Sequence, residues 1–201
     1  MSRLAFGIAA LAFVAFGLPA SAQDRPVRVR GTIERVDGGL YIVKARSGAE
    51  EKVKLADDGA VVALIKASLA DVKQGSYIGV SGMPQTDGAL KCLEIHIFPD
   101  AMRGTGDGHR PWDLQPSSTM TNGAVEQTSA SADGQVLTLK YKDGEKKVVV
   151  QADCPIVSYL PGDKSELKPG TAIFISAAQK QPDGTLLTPR INVGRGVAPP
   201  M

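Results

Sequence analysis

The sequence predicts an all-β protein made of two tandem small barrels, each of about five strands with one short capped helix. Three observations predict it: stretches with apolar residues at alternate positions, Asp-Gly and Ser-Gly turns between them, and a return of the whole plan about 96 residues later. Period-2 alternation marks a strand with one buried face. A repeat of that length exceeds the roughly 20 to 50 residues of a solenoid unit and has the size of a complete small domain.

In the first copy, residues 27–33 alternate, Asp37-Gly38-Gly39 turns, and residues 40–46 return as the second strand of a hairpin. Ser47-Gly48 turns into a third strand, where Val53 and Leu55 face one way and Lys52 and Lys54 the other. Residues 61–65 form a fourth apolar run, a short strand or a bulged extension of the third. Ser68 followed by Asp71 is a capping-box pattern, in which each end satisfies an amide of the first helical turn, and Gly75 stops that helix. Residues 77–82 and 90–97 complete the copy, joined through Thr86-Asp87-Gly88.

In the second copy Gly123-Ala124-Val125-Glu126 corresponds to Gly31-Thr32-Ile33-Glu34, Lys140 to Lys44, Gly144 to Gly48 and Val149 to Val53. The capped turn returns as Asp163 with Glu166, and Asp183-Gly184-Thr185-Leu186 matches Asp87-Gly88-Ala89-Leu90. Antiparallel strands with one short helix before the last two have the element order of an OB-type barrel, whose open end such a helix plugs. The tandem units, with Gly-Thr/Ala-Ile/Val-Glu, an Asp-Gly turn, a capped turn ending in Lys-x-Gly and then Asp-Gly-x-Leu, resemble a family of exported bacterial proteins catalogued as a domain of unknown function with an OB-like barrel. The resemblance covers residues 27–194. It implies a fold and carries no catalytic residues. Some proteins of this appearance bear labels linking them to metal transport, but a permease needs several spanning helices, and this sequence has no segment for them after its first 22 residues.

Residues 1–22 read as a signal peptide: Arg3, an apolar run over 4–18, and Ala20-Ser21-Ala22 as a cleavage site before Gln23. The expected organisation is therefore a leader at 1–22, a first OB-like barrel at 23–97, a Gly/Pro-rich linker at 98–121, a second barrel at 122–194 and a tail at 195–201. The expected location is periplasmic or secreted, with no membrane span once the leader is removed. Formal net charge is +2, and +1 without Arg3, because 22 of the 23 basic residues then face 21 acidic ones. So balanced a chain is not expected to bind nucleic acid, which needs a concentrated basic surface. Cys92 and Cys154 would meet an oxidising compartment, so a disulfide is permitted. They occupy different copies at non-equivalent positions, and two small buried thiols are the expected state.

The linker belongs to neither copy and holds the only tryptophan, Trp112. It offers no catalytic constellation. His109 lies near Ser117, Ser118 and Asp113, but no G-x-S-x-G elbow frames a nucleophile. Most carboxylates sit in Asp-Gly turns, where they serve the turn rather than a glycosidase pair. Gly104-Thr105-Gly106-Asp107-Gly108 lacks the following Gly-Lys-Ser/Thr of a phosphate loop, although Arg103 and Arg110 flank it as anion donors. Two binding readings remain. In the first, a non-enzymatic binding or adaptor protein of the envelope meets an envelope protein or small ligand through Arg103, His109, Arg110 and Trp112, with Trp112 anchoring the linker between barrels. In the second, His96, Met102, His109 and Met120 hold copper, whose soft Cu(I) state suits imidazole and thioether donors.

Overall fold

The computed structural model describes residues 26–132 and 134–199, so the leader expected at 1–22 lies outside the described residues. The described residues form strands, single 3-10 turns and connecting loops, an all-β chain in class. Its strands are β1 (Val27–Asp37), β2 (Leu40–Ala45), β3 (Glu50–Lys66), β4 (Tyr77–Pro84), β5 (Leu90–Ile97), β6 (Gly108–Pro111), β7 (Thr119–Ser131), β8 (Gly134–Tyr141), β9 (Gly144–Val150), β10 (Ile156–Pro161), β11 (Ala172–Lys180) and β12 (Leu186–Gly194). Among the described residues no helix is long and apolar enough to cross a membrane.

The strands close into two five-stranded rings, and each ring draws on both copies. One runs β1–β2–β3–β12–β11 and back to β1; the other runs β7–β8–β9–β5–β4 and back to β7. The parallel pairings of β3 with β12 and of β9 with β5 complete them. This corrects the expected barrels at 23–97 and 122–194: the two copies exchange their last hairpins. The cores follow the exchange. Ile33, Val43 and Val53 pack with Ile173 and Ile191, whereas Ile78 and Ile95 pack with Val125, Leu139 and Val148. Each capped turn travels with its hairpin, so Leu69 and Val72 pack on the second barrel and Leu167 on the first.

The exchange begins at β3. The apolar run at 61–65 is the far end of one 17-residue strand, not a separate element. Residues 56–59 bulge opposite Pro189 of β12, and the strand then continues beyond the reach of β2. There it pairs antiparallel with β10, from Val62 opposite Pro161 to Lys66 opposite Val157. In the second copy the same strand is broken into β9 and β10, where Cys154 and Pro155 intervene. The ladder relates the copies by a local two-fold, because Ile65 opposite Ser158 has its counterpart in Ala63 opposite Leu160. The sheet also shifts the third strand of the repeat by one residue. Tyr41 pairs with Val53 and its counterpart Leu137 pairs with Val148, not Val149, because the preceding turn is one residue shorter. Such a slip would otherwise turn the apolar face outward. Gly31 and Gly123 are required sterically, since a Cβ at either would collide with the carbonyl of Lys44 or Lys140 on the neighbouring strand.

The exchange also explains the cysteines. Cys92 on β5 and Cys154 after β9 belong to different copies but to one barrel, with Cα atoms 6.1 Å apart, and they form a disulfide. The expected pair of free thiols is thereby corrected.

Candidate functional site

The linker is ordered by its own polar groups. Asp107 accepts hydrogen bonds from the Tyr77 hydroxyl (3.2 Å) and the Lys142 amide (2.8 Å), tying the linker to two strands' ends. Burial, and then the Asp107 charge, push the Tyr77 phenol up to about 12. The Arg110 guanidinium donates to the Gly106 carbonyl (2.6 Å), and Asn122 Nδ2 donates to the Thr105 carbonyl (2.9 Å). Ser118, buried, shares its one hydroxyl proton between the carbonyls of Gln115 (2.8 Å) and Trp112 (3.1 Å) and closes the turn that presents Trp112. β6 then lies beside β7, with Arg110 opposite Met120.

Cross-strand register determines what each barrel shows the other, since directly paired residues share a face. On the second barrel Arg110 pairs with Met120, Met120 with Ser81 and Ser81 with Glu94, while Gly79 pairs with both Asn122 and His96. On the first barrel Arg30 pairs with Phe174, and Phe174 with Asn192. Between these faces lies a cleft of about 120 Å3, lined from the linker, from β5 and β7, and from β10, β11 and β12. Trp112 forms part of its wall, with the guanidinium of Arg28 at 4.1 Å from the ring centroid, Arg110 at 5.8 Å and Arg30 at 5.9 Å. Asp113 pairs with Arg30 (2.7 Å) and Arg28 (3.4 Å), and the hydrogen bond from Arg30 holds its carboxyl below the usual range. Phe98 stacks on Tyr159 at 5.1 Å.

His96 is 4% exposed. Its Nδ1 meets the Tyr159 hydroxyl at 2.7 Å, and its Nε2 faces Glu94 at 3.2 Å. Burial, reinforced by the Glu94 charge, raises the Tyr159 phenol above its ordinary value, so Tyr159 stays neutral. Among the described residues, four buried side-chain nitrogen or oxygen atoms meet no polar partner, namely Arg30 Nε, Ser81 Oγ, Asn122 Oδ1 and Ser131 Oγ, whereas His96 Nε2 has its contact with Glu94. Of the four, Asn122 Oδ1 alone belongs to a residue that lines the cleft. Buried polar atoms are normally paired, so the unpartnered Asn122 Oδ1 sets this cleft apart. A wider cleft of about 780 Å3 beside the disulfide, lined by Leu69, Leu93, Leu114 and the tail residue Pro199, contains none of these atoms.

The residues singled out in the sequence divide. Arg110, Trp112, His96, Met102 and Met120 all line the cleft. Arg103 does not: it donates to the Gly75 carbonyl (2.8 Å) and sits over Tyr77. His109 points to the other side of its sheet, as the neighbour of Arg110 on one strand must, and there it bonds Thr121 (2.7 Å) and stacks on Tyr141. It therefore joins neither the cleft surface nor the imidazole–thioether set. Partial burial, then the Lys146 and Arg110 cations, holds its imidazole below the usual value. The described residues contain no group of three His, Cys, Asp or Glu side chains able to share a metal ion. Sequence reasoning missed Arg190, Asn192, Tyr159 and Asn122, which lie on repeat strands. A signal was present: Glu94 and Arg190 occupy equivalent positions, as do His96 and Asn192, so the copies differ in charge at one place on their surfaces. Comparison of the chain with protein-family models, with curated proteins and with solved structures returned no match.

Proposed function

We propose that this chain is an exported, non-enzymatic binding protein of the bacterial envelope, periplasmic or secreted, and that it takes a small ligand in the cleft between its barrels. The observation that carries this reading is the unpaired buried Oδ1 of Asn122, a residue that lines the cleft on the face of the second barrel. A ligand that donates to this oxygen recovers a hydrogen bond otherwise forgone, worth about 1–3 kcal/mol. A small cleft walled by Trp112, Phe98 and Phe174 suits a small molecule better than a protein surface. Export rests on the leader-like residues 1–22, and the Cys92–Cys154 bond is consistent with it, because such bonds persist in oxidising compartments. The test is a thermal-shift screen of polar small molecules on the purified protein and on Asn122→Leu. Ligands that stabilise the parent and lose their effect in the variant support the cleft. A screen in which every stabilising ligand acts equally on both proteins rejects it.

A second reading is favoured by one observation: His96, Met102 and Met120 line the same cleft. They would be the donors for Cu(I), with His109 left out. Both ring nitrogens of His96 face protein groups, so the ring would have to turn to bind. Competition for Cu(I) against a weak chelator, lost in Met102→Leu and Met120→Leu, would support copper; no competition by the parent protein would eliminate it.

A further inference from the structure

We infer that the cleft's ligand is a small oxyanion that retains a hydrogen-bond donor, held between the guanidinium groups of Arg110 and Arg190 with its donor against the Asn122 side-chain carbonyl. This rests on the cleft being the binding site and adds the chemical class of what it binds.

Charge comes first. Among the described residues that line the cleft are two arginines, Arg110 and Arg190, and no carboxylate. The neighbouring Arg28 and Arg30 already share Asp113. Glu94, the nearest buried carboxylate, faces His96 Nε2, and Tyr159 stays neutral beside it. Arg110 is half-buried, and its charge is disfavoured by that burial and then by Arg28. A partly dehydrated cation beside another cation gains most from an anion, and guanidinium matches oxyanion geometry through paired donors.

The donor requirement follows from Asn122. Its Nδ2 is committed to the Thr105 carbonyl, which fixes the amide's orientation and leaves Oδ1 as the buried unpaired acceptor. That oxygen lies over Gly79, where a Cβ would come within 2.7 Å of it. An acceptor needs a donor, so a hydroxy acid, an amino acid or a hydrogen phosphate fits, and a bare sulfate does not. Size agrees: at about 120 Å3 the cleft is well below the roughly 300–1,000 Å3 of a drug-sized site, so a small ion suits it. The copies diverge to build this pocket, since the position of Arg190 holds Glu94 in the other copy and that of Phe174 holds Gly79.

Trp112 is the sole tryptophan, so its emission reports on the cleft. The unaltered protein is titrated with lactate, hydrogen phosphate and the neutral twin lactamide, at constant ionic strength held by chloride. Lactate or hydrogen phosphate is expected to give a saturable change, and whichever saturates identifies carboxylate or phosphate as the source. Lactamide is expected to bind at least tenfold more weakly, and Arg190→Gln to weaken the better anion about tenfold at unchanged melting temperature, the loss of one charge-assisted contact. If lactamide matches the anions, the cleft still binds and the oxyanion class is overturned. If none of the three saturates, while the polar-molecule screen still finds a ligand lost in Asn122→Leu, the oxyanion fails and the binding site stands. If that screen is empty too, both fall. Should Arg190→Gln fail to fold, the lactate–lactamide comparison decides alone.

Discussion

The two barrels are alike inside and unlike where they face each other. Ile33 and Val125, Val43 and Leu139, Val53 and Val148, and Ile191 and Ile95 hold equivalent places, and all are at most 1% exposed. Across the cleft the equivalent places carry Arg28 and Met120, Arg30 and Asn122, Phe174 and Gly79, Arg190 and Glu94, and Asn192 and His96. Packing needs the same shapes on both sides of a two-fold. A site that grips a small asymmetric ligand needs different chemistry on its two walls. The contrast locates function on the outer faces and stability in the interiors.

The largest expected effect breaks the one covalent difference between the barrels. Replacing Cys92 and Cys154 by Ala releases a loop of 62 residues' separation and should cost about 4 kcal/mol by the chain-entropy estimate. Urea unfolding measures the cost, and hydrogen exchange should rise in β4, β5 and β7–β9 more than in β1–β3. Next, the interior equivalence predicts equal penalties: Ile95→Ala and Ile191→Ala should each lose about 3 kcal/mol in the same assay. A difference of more than half between them would mean that the cores are not interchangeable. Gly79→Ala imports a side chain towards the Phe174 wall and should cost about 1–3 kcal/mol, because the new Cβ meets Asn122 Oδ1 and, at 3.0 Å, Phe98. Its thermal shift with ligand should shrink as well.

The smallest effect concerns the Arg-rich wall. Asp113 has a folded-state value depressed mainly by its Arg30 hydrogen bond. Its stabilisation is therefore present above the unfolded carboxyl value of about 3.9 and lost as pH falls through the lower folded value. Asp113 is 46% exposed at the side chain, so screening limits the pair to under about 1 kcal/mol. Asp113→Asn should lower the urea midpoint slightly at pH 7, and the difference should narrow towards pH 2.

Much of the fold was legible because alternation, Asp-Gly turns and capping boxes are local. The capping boxes form as read: Asp71 accepts from the Ser68 amide at 2.8 Å, and Glu166 from the Asp163 amide at 2.7 Å. The exchange of hairpins was not legible, because β4 and β5 have the same alternation whether they close on β1–β3 or on β7–β9. The disulfide followed that pairing and was hidden with it. The linker's Arg110 and Trp112 were found by composition, as the rarer side chains outside the repeat. Arg190 and Asn192 sat inside it and looked like ordinary strand polars; only the comparison of equivalent positions could have marked them. His109 shows the opposite failure, since a neighbour in sequence on a strand faces the other way.

The most direct test is amide and indole chemical-shift mapping with whichever of lactate or hydrogen phosphate saturates the Trp112 emission. The largest perturbations are expected on Gly79, Ser81, Asn122, Asn192 and the Trp112 indole. Perturbations centred instead on Leu69, Leu93 and Leu114, beside the disulfide, would contradict a binding site between the barrels.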